Sequence, residues 1–206
     1  MPLKLSEIKK VMAGEGEASG DALSIVPFLS SIDQNNEGNA SVDLRLGRWF
    51  LTLKATAEPV FEIGQKDGKG EERLATRHFV RFDDRFVLHP GRFVLGATLE
   101  WIKMPKRFVG SIVGKSSLGR RGLIIETAPV VHPGFAGCLT LELANVGEIP
   151  VALRPGMQIA QLVIDRAEGN GVTNSPLRGF RGPALGAIKT DDIAERIQRP
   201  SPQFTA

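Results

Sequence analysis

Two segments of this 206-residue chain carry side chains that could do chemistry, and they lie close together in sequence. The first, Gly114-Lys115-Ser116-Ser117-Leu118-Gly119-Arg120-Arg121, gathers cations, hydroxyls and flexible backbone. The second, Val131-His132-Pro133-Gly134-Phe135-Ala136-Gly137-Cys138-Leu139-Thr140-Leu141-Glu142, ends on a single carboxylate in an apolar run. An anion site beside a potential base is the chemistry that these residue types suggest.

The Gly-Lys-Ser-Ser run invites a phosphate-loop reading, which its spacing rejects. Gly110 precedes Gly114 with three residues between them where such a loop has four, and Leu118-Gly119-Arg120-Arg121-Gly122 is a poor start for the helix it needs. A triphosphate can still be held here. Lys115 and Arg120 offer charge-assisted donors and the hydroxyls of Ser116 and Ser117 add short-range ones. The other reading of the same residues is a solvated basic turn.

Glu142 sits in a strand pattern in which Leu139, Leu141 and Leu143 point one way while Cys138, Thr140 and Glu142 point the other. A carboxylate so placed either faces water on a polar sheet surface or is held in a cleft as a general base.

The elements that must position these groups read mostly as strands. Leu5 to Met12 forms a short helix with Leu5, Ile8, Val11 and Met12 on one side, ended by the Gly-rich Ala13 to Gly20. Ser41 to Leu46, parts of Arg92 to Trp101, and Leu139 to Leu143 alternate. His89-Pro90-Gly91, His132-Pro133-Gly134 and Arg154-Pro155-Gly156 are three turns that each precede a strand-like run. The pattern is all-β with many short elements, a barrel or sandwich. Gln65 to Glu72 is expected as an exposed loop. Residues 168–206 are expected as a mobile C-terminal arm, with a short helix around Asp191 to Ile197.

At 42% hydrophobic content the chain can bury a core as one domain, 1–206, without staples. Cys138, the only cysteine, has no intramolecular disulfide partner and suits a reducing compartment. No signal-type or bilayer-spanning run is present in the sequence, so a cytoplasmic protein without membrane contact is expected. Lys plus Arg exceed Asp plus Glu by 26 − 23 = 3, an excess that serves a small polyanion as well as a nucleic acid, and charge alone does not choose.

Taken together, these segments resemble the family of dCTP deaminases and the related trimeric dUTP pyrophosphatases. The likeness runs through the N-terminal helix, Ser41-Val42-Asp43-Leu44-Arg45-Leu46-Gly47, Leu88-His89-Pro90-Gly91 and the Gly-Lys-Ser-Ser-Leu-Gly-Arg box. It continues through Thr127-Ala128, Pro133 to Gly137 and Leu141-Glu142 to Leu153-Arg154-Pro155-Gly156-Met157 and Ile159-Ala160-Gln161-Leu162. The resemblance implies a distorted β-barrel, a homotrimer with nucleotide sites between subunits, and a deoxynucleoside triphosphate as ligand; nucleic acid is not expected.

It also implies roles. Glu142 would take a proton from the water that attacks C4 of cytosine, with Ser116 and the carbonyl of Ala128 positioning that water and Arg120 stabilising developing charge. Lys115 and Ser117 would hold the triphosphate with Mg2+, Phe135 would pack on the deoxyribose, and His132 and Gln161 would line the substrate site. No zinc is implied, since zinc deaminases need a Cys-x-x-Cys that one cysteine cannot supply. The pyrophosphatase branch places an aspartate where this chain has His132, so deamination of dCTP to dUTP is expected, with dUTP or another dNTP hydrolysis, or a non-catalytic nucleotide-binding regulator, as alternatives. The family's lid uses a tyrosine and a glutamine where this chain has Leu177 and Phe180. Arg178-Gly179-Phe180-Arg181-Gly182 instead suits a pyrophosphatase-like arm in which Phe180 stacks on the base and Arg178 meets phosphate.

Overall fold

The computed structural model describes residues 1–15, 20–29, 38–54, 75–125, 128–169, 171 and 178–186. The expectations for Gln65 to Glu72, Thr127, Leu177 and the helix near Asp191 lie outside them.

Helix α1 spans Leu5–Ala13 and buries Leu5, Ile8 and Val11, one face of a 3.6-residue period. It stops at Gly14, whose left-handed backbone lets the Gly14 and Glu15 N–H groups turn back onto the Val11 and Lys10 carbonyls.

Twelve strands follow among the described residues: β1 Ser24–Val26, β2 Val42–Arg45, β3 Trp49–Leu53, β4 Ala75–Phe79, β5 Phe86–Leu88, β6 Phe93–Lys103, β7 Phe108–Gly114, β8 Leu123–Ile125, β9 Val130–Val131, β10 Ala136–Asn145, β11 Val151–Leu153 and β12 Gln158–Arg166. A four-residue helix, α2 (Ser116–Gly119), sits between β7 and β8. All pairings are antiparallel. One sheet runs β4-β3-β6-β10-β8 with β1 also on β6, a second runs β2-β12-β7-β9, and β5 pairs with β11. The all-β expectation holds. The core between the sheets is built of alternate strand residues, among them Leu44, Leu46, Phe50, Ile102, Phe108, Leu141, Leu143, Leu162 and Ile164, all fully buried.

The three X-Pro-Gly segments form the same turn. Arg92, Phe135 and Met157 each donate an N–H to the carbonyl three residues back, His89, His132 and Arg154, at 3.1 to 3.2 Å. The glycines take φ of 69°, 80° and 85°. Proline presets the second position and only glycine takes the third without strain, which is the type II pattern. Two of these turns launch the strands that matter most for the site, β10 and β12.

Candidate functional site

Glu142 lies on β10, whose Leu139, Leu141 and Leu143 are buried while Thr140, Glu142 and Ala144 are half-buried. The expected alternation is observed from Leu139 onward; Cys138, expected on the Glu142 face, is buried, because the strand register shifts between Cys138 and Thr140. Along one edge β10 pairs with β6, placing Glu142 opposite Leu95. Along the other edge its neighbour changes. At Leu143 to Asn145 the neighbour is β8, in register with Ile125 to Leu123. At Ala136 to Thr140 it is the C-terminal arm: Gly179 donates to the Ala136 carbonyl at 2.6 Å, Cys138 donates to the Phe180 carbonyl at 2.8 Å, and the Ala184 N–H reaches Thr140 Oγ1 at 3.4 Å. Glu142 stands where the arm ends and β8 begins.

The arm was expected to be mobile. Its described part, 178–186, is instead anchored on β10, with Pro183 buried and Gly182 against the Trp49 side chain. Arg178 is exposed, and Phe180, fixed by its backbone, leaves its ring 42% exposed.

The Gly-Lys-Ser-Ser turn begins where β7 ends. Gly114 packs on the Ile125 side chain, and Ile125 pairs with Leu143, next to Glu142. Ile125 and its partner Leu143 share a face of the sheet, so within one subunit Gly114 lies on the face opposite the Glu142 side chain. Ser116, Ser117 and Arg120 are exposed. Arg121 folds back, donating from Nη1 to the Ser117 carbonyl at 2.7 Å. Gly122 closes the segment with φ +85°, and a Cβ there would lie 2.6 Å from Gly147 backbone.

Lys115 differs from its exposed neighbours. It is half-buried, its Nζ donates to Asp43 Oδ1 at 2.8 Å on β2 and to Gln158 Oε1 at 2.7 Å on β12, and Gln161 Nε2 donates to the same Asp43 oxygen at 3.1 Å. Two of its three donors are satisfied within the chain. Gln161, expected at the substrate, lies in this network.

Ala128 and His132 flank the two-residue strand β9, and both are exposed. The Ile112 N–H donates to the Pro129 carbonyl and Ser111 pairs with Val130, so Ala128 lies beside the β7 end that leads into Gly114. Phe135 is half-buried against the core at the opposite end of β10 from Glu142.

Sequence reasoning missed three polar residues. Asp43 and Gln158 were passed over because nothing local links them to Lys115. Glu100 was hidden inside the apolar β6. It is 1% exposed; its Oε2 accepts the Arg45 N–H at 2.9 Å, and Oε1 has no hydrogen-bond partner among the described residues. Burial pushes its carboxyl up to about 7, against the opposing pull of the Arg45 N–H. It lies at an irregularity: the β6–β10 register shifts between Cys138 and Thr140, Leu139 donates its N–H to Thr98 Oγ1 at 2.9 Å, and that hydroxyl donates to the Glu100 carbonyl at 2.8 Å. The Cys138 thiol is also raised, first by burial and then by Glu100, with Arg181 opposing.

The class is set by the fold. The chain shares its fold with 2'-deoxycytidine 5'-triphosphate deaminase from Agrobacterium tumefaciens, at a TM-score of 0.59 and 24% identity over 81% of this chain. The match spans about half, 48%, of that longer solved chain. A family model described as dCTP deaminase-like matches residues 11–167, and the chain belongs to that family. It is 44% identical over 147 residues to a dCTP deaminase of Halorubrum lacusprofundi, covering 71% of this chain and 70% of that protein. It is also 44% identical over 182 residues to a dUMP-forming dCTP deaminase of Halobacterium salinarum, covering 84% and 90%.

Proposed function

We propose that the protein is a hydrolytic dCTP deaminase whose final product is dUMP. The observation that carries the reading is Glu142: a half-buried carboxylate on β10, in the short stretch between the last contact of the arm at Thr140 and the start of the β8 pairing at Leu143.

In this mechanism Glu142 takes a proton from a water held by Ser116 and the Ala128 carbonyl. The water oxygen bonds to C4 of cytosine as its first proton passes to N3; Glu142 then carries the proton of the new C4 hydroxyl to the amine, and the C4–N4 bond breaks to release ammonia as the C4 carbonyl of uracil forms. Arg120 stabilises the charge that develops. Phe135 precedes β10 by one residue and lies seven residues from Glu142, roughly 23 Å along an extended strand, so the Phe135 that packs on a deoxyribose is assigned to a different subunit from the Glu142 that meets its base. Ser117 and the remaining donor of Lys115 meet the triphosphate. Among the described residues no three His, Cys, Asp or Glu side chains gather as a metal site. Mg2+ carried on the triphosphate would neutralise part of its charge.

The expected product was dUTP, because His132 replaces the hydrolase aspartate. That expectation is revised. The name of the Halobacterium relative, matched over 84% of this chain, supports a second hydrolysis: water bonds to the α-phosphorus and the bond to the β-phosphate bridge breaks, leaving dUMP and pyrophosphate. We assign the proton removal in this step to His132, since a neutral imidazole accepts a proton near neutral pH.

The site is proposed to be completed between subunits of a homotrimer. Val146 and Ile149, 67% and 72% exposed in one subunit, are apolar surface that such an assembly would cover. A reducing cytoplasm suits the single thiol of Cys138. No described helix is long and apolar enough to cross a membrane.

Incubation with dCTP and magnesium tests the whole reading. Ammonia with equal dUMP and pyrophosphate is expected. Ammonia with stable dUTP would remove the second step, and pyrophosphate from dCTP without ammonia would remove the deaminase.

A further inference from the structure

We propose that Asp43 is a positioning residue for the reaction, acting through Lys115 to hold the Gly114–Ser117 turn in place. The inference rests on the turn being the triphosphate site proposed above. Asp43 and Lys115 are 72 residues apart in sequence; Asp43 lies on β2 and Lys115 directly follows β7, and between those two strands lies β12. The ammonium crosses that strand to reach Asp43 Oδ1 at 2.8 Å, and on the way meets Gln158 Oε1 at 2.7 Å. Gln161 grips the same Asp43 oxygen from β12 at 3.1 Å.

Lys115 is also the residue from which α2 is hung. Its carbonyl accepts the N–H groups of Leu118 and Gly119 at 2.9 and 3.1 Å, and it precedes Ser116 directly. α2 has only four residues, buries none of them, and has no side-chain cap. A helix this short has no stability of its own. Its placement comes from Leu118, which packs partly buried against the core, and from its ends, Lys115 on one side and the Gly122–Gly147 approach on the other.

The pair is only partly shielded, with side-chain exposures of 20% for Lys115 and 27% for Asp43. The prediction accordingly rests on geometry and on the loss of a fixed anchor, and an exposed ion pair alone would do little.

Asp43→Asn and Lys115→Met, singly and together, form the test, read in two ways. The first is backbone hydrogen exchange of the ligand-free protein at Gly119 and Arg120, whose amides donate to Lys115 and Ser116. Asp43→Asn is expected to speed exchange there by about tenfold, the equivalent of 1.4 kcal/mol, and to add nothing once Lys115 is Met. This readout is independent of any activity. The second is kcat/KM for dCTP, expected to fall about tenfold in Asp43→Asn, again with no further loss in the Lys115→Met background. Unchanged exchange in α2, or equal losses in both backgrounds, would overturn the role of Asp43. Faster exchange with undiminished kcat/KM would show the latch real but the turn not the substrate site. Tighter dCTP binding in Asp43→Asn would mean that Asp43 acts by repelling phosphate, and would also overturn the proposal.

Discussion

The Cys138 N–H lies 2.8 Å from the carbonyl of Phe180, which fastens the C-terminal arm to the strand that carries Glu142, four residues upstream of that carboxylate. The arm thus lies along β10 from Ala136 to Thr140, two residues short of the carboxylate.

Glu142→Gln is expected to keep the fold and nucleotide binding, because glutamine matches the volume of the half-buried side chain. Ammonia release should drop by roughly 10²- to 10⁴-fold, the usual loss for a general base. Measured ammonia production near that of the parent protein would remove Glu142 from the mechanism.

His132→Asn separates the two proposed steps. His132 is exposed at the start of a turn formed by backbone and proline, so its replacement leaves the turn standing. Ammonia release should continue while dUTP accumulates in place of dUMP, as followed by ion-exchange chromatography. Unaltered dUMP yield would assign the second step to another group.

Phe180→Ala tests the arm without truncating it. The Phe180 carbonyl makes the anchoring bond and survives the change, so the unfolding midpoint should stay within a degree or two. Affinity for a non-hydrolysable dCTP analogue should weaken by about 1 to 3 kcal/mol, the range for a base stacked on an aromatic ring. Because stacking accepts any base, the same loss is expected with the dUTP analogue. Equal affinities for variant and parent would place the ring outside the site.

Glu100 should make stability depend on pH. Its carboxyl is raised from 4.5 to about 7 in the folded protein. The folded state thus holds the proton more tightly than the unfolded one. The stabilisation is fully present below pH 4.5 and is lost as pH rises through 7, at most about 3 kcal/mol for a shift of this size. Glu100→Gln keeps an oxygen for the Arg45 N–H and removes the titration. Urea midpoints measured from pH 5 to 8 should fall for the parent relative to the variant, and parallel curves would refute the assignment.

How much of this was legible follows from the range of each interaction. The three Pro-Gly turns were readable because their chemistry lies within four residues, and the facing of Glu142 because strand alternation needs only its neighbours. The end of α1 was visible in the Gly-rich run that begins at Ala13 for the same reason, one residue short of where the helix stops. Lys115 was misleading: beside two serines and Arg120 it looked like a cation free for phosphate, and only the β2-β12-β7 order shows where two of its donors go. Glu100 could not be singled out because its burial depends on the irregular stretch of β6 opposite Leu139, and no period-2 pattern announces such a shift.

The order of strands in the second sheet also sets a schedule for the nascent chain. β2 emerges early, yet its sheet partner is β12, and Asp43 meets Gln161 across 118 positions of sequence. Contacts of such separation close late, since the loop must be gathered before any bond rewards it. While the ribosome is still short of Gln158, β2 and β7 have no strand to lie against in common, and Lys115 has neither Asp43 nor Gln158 within reach through the sheet. The segment proposed to grip the triphosphate therefore cannot take its anchored form until β12 has been made.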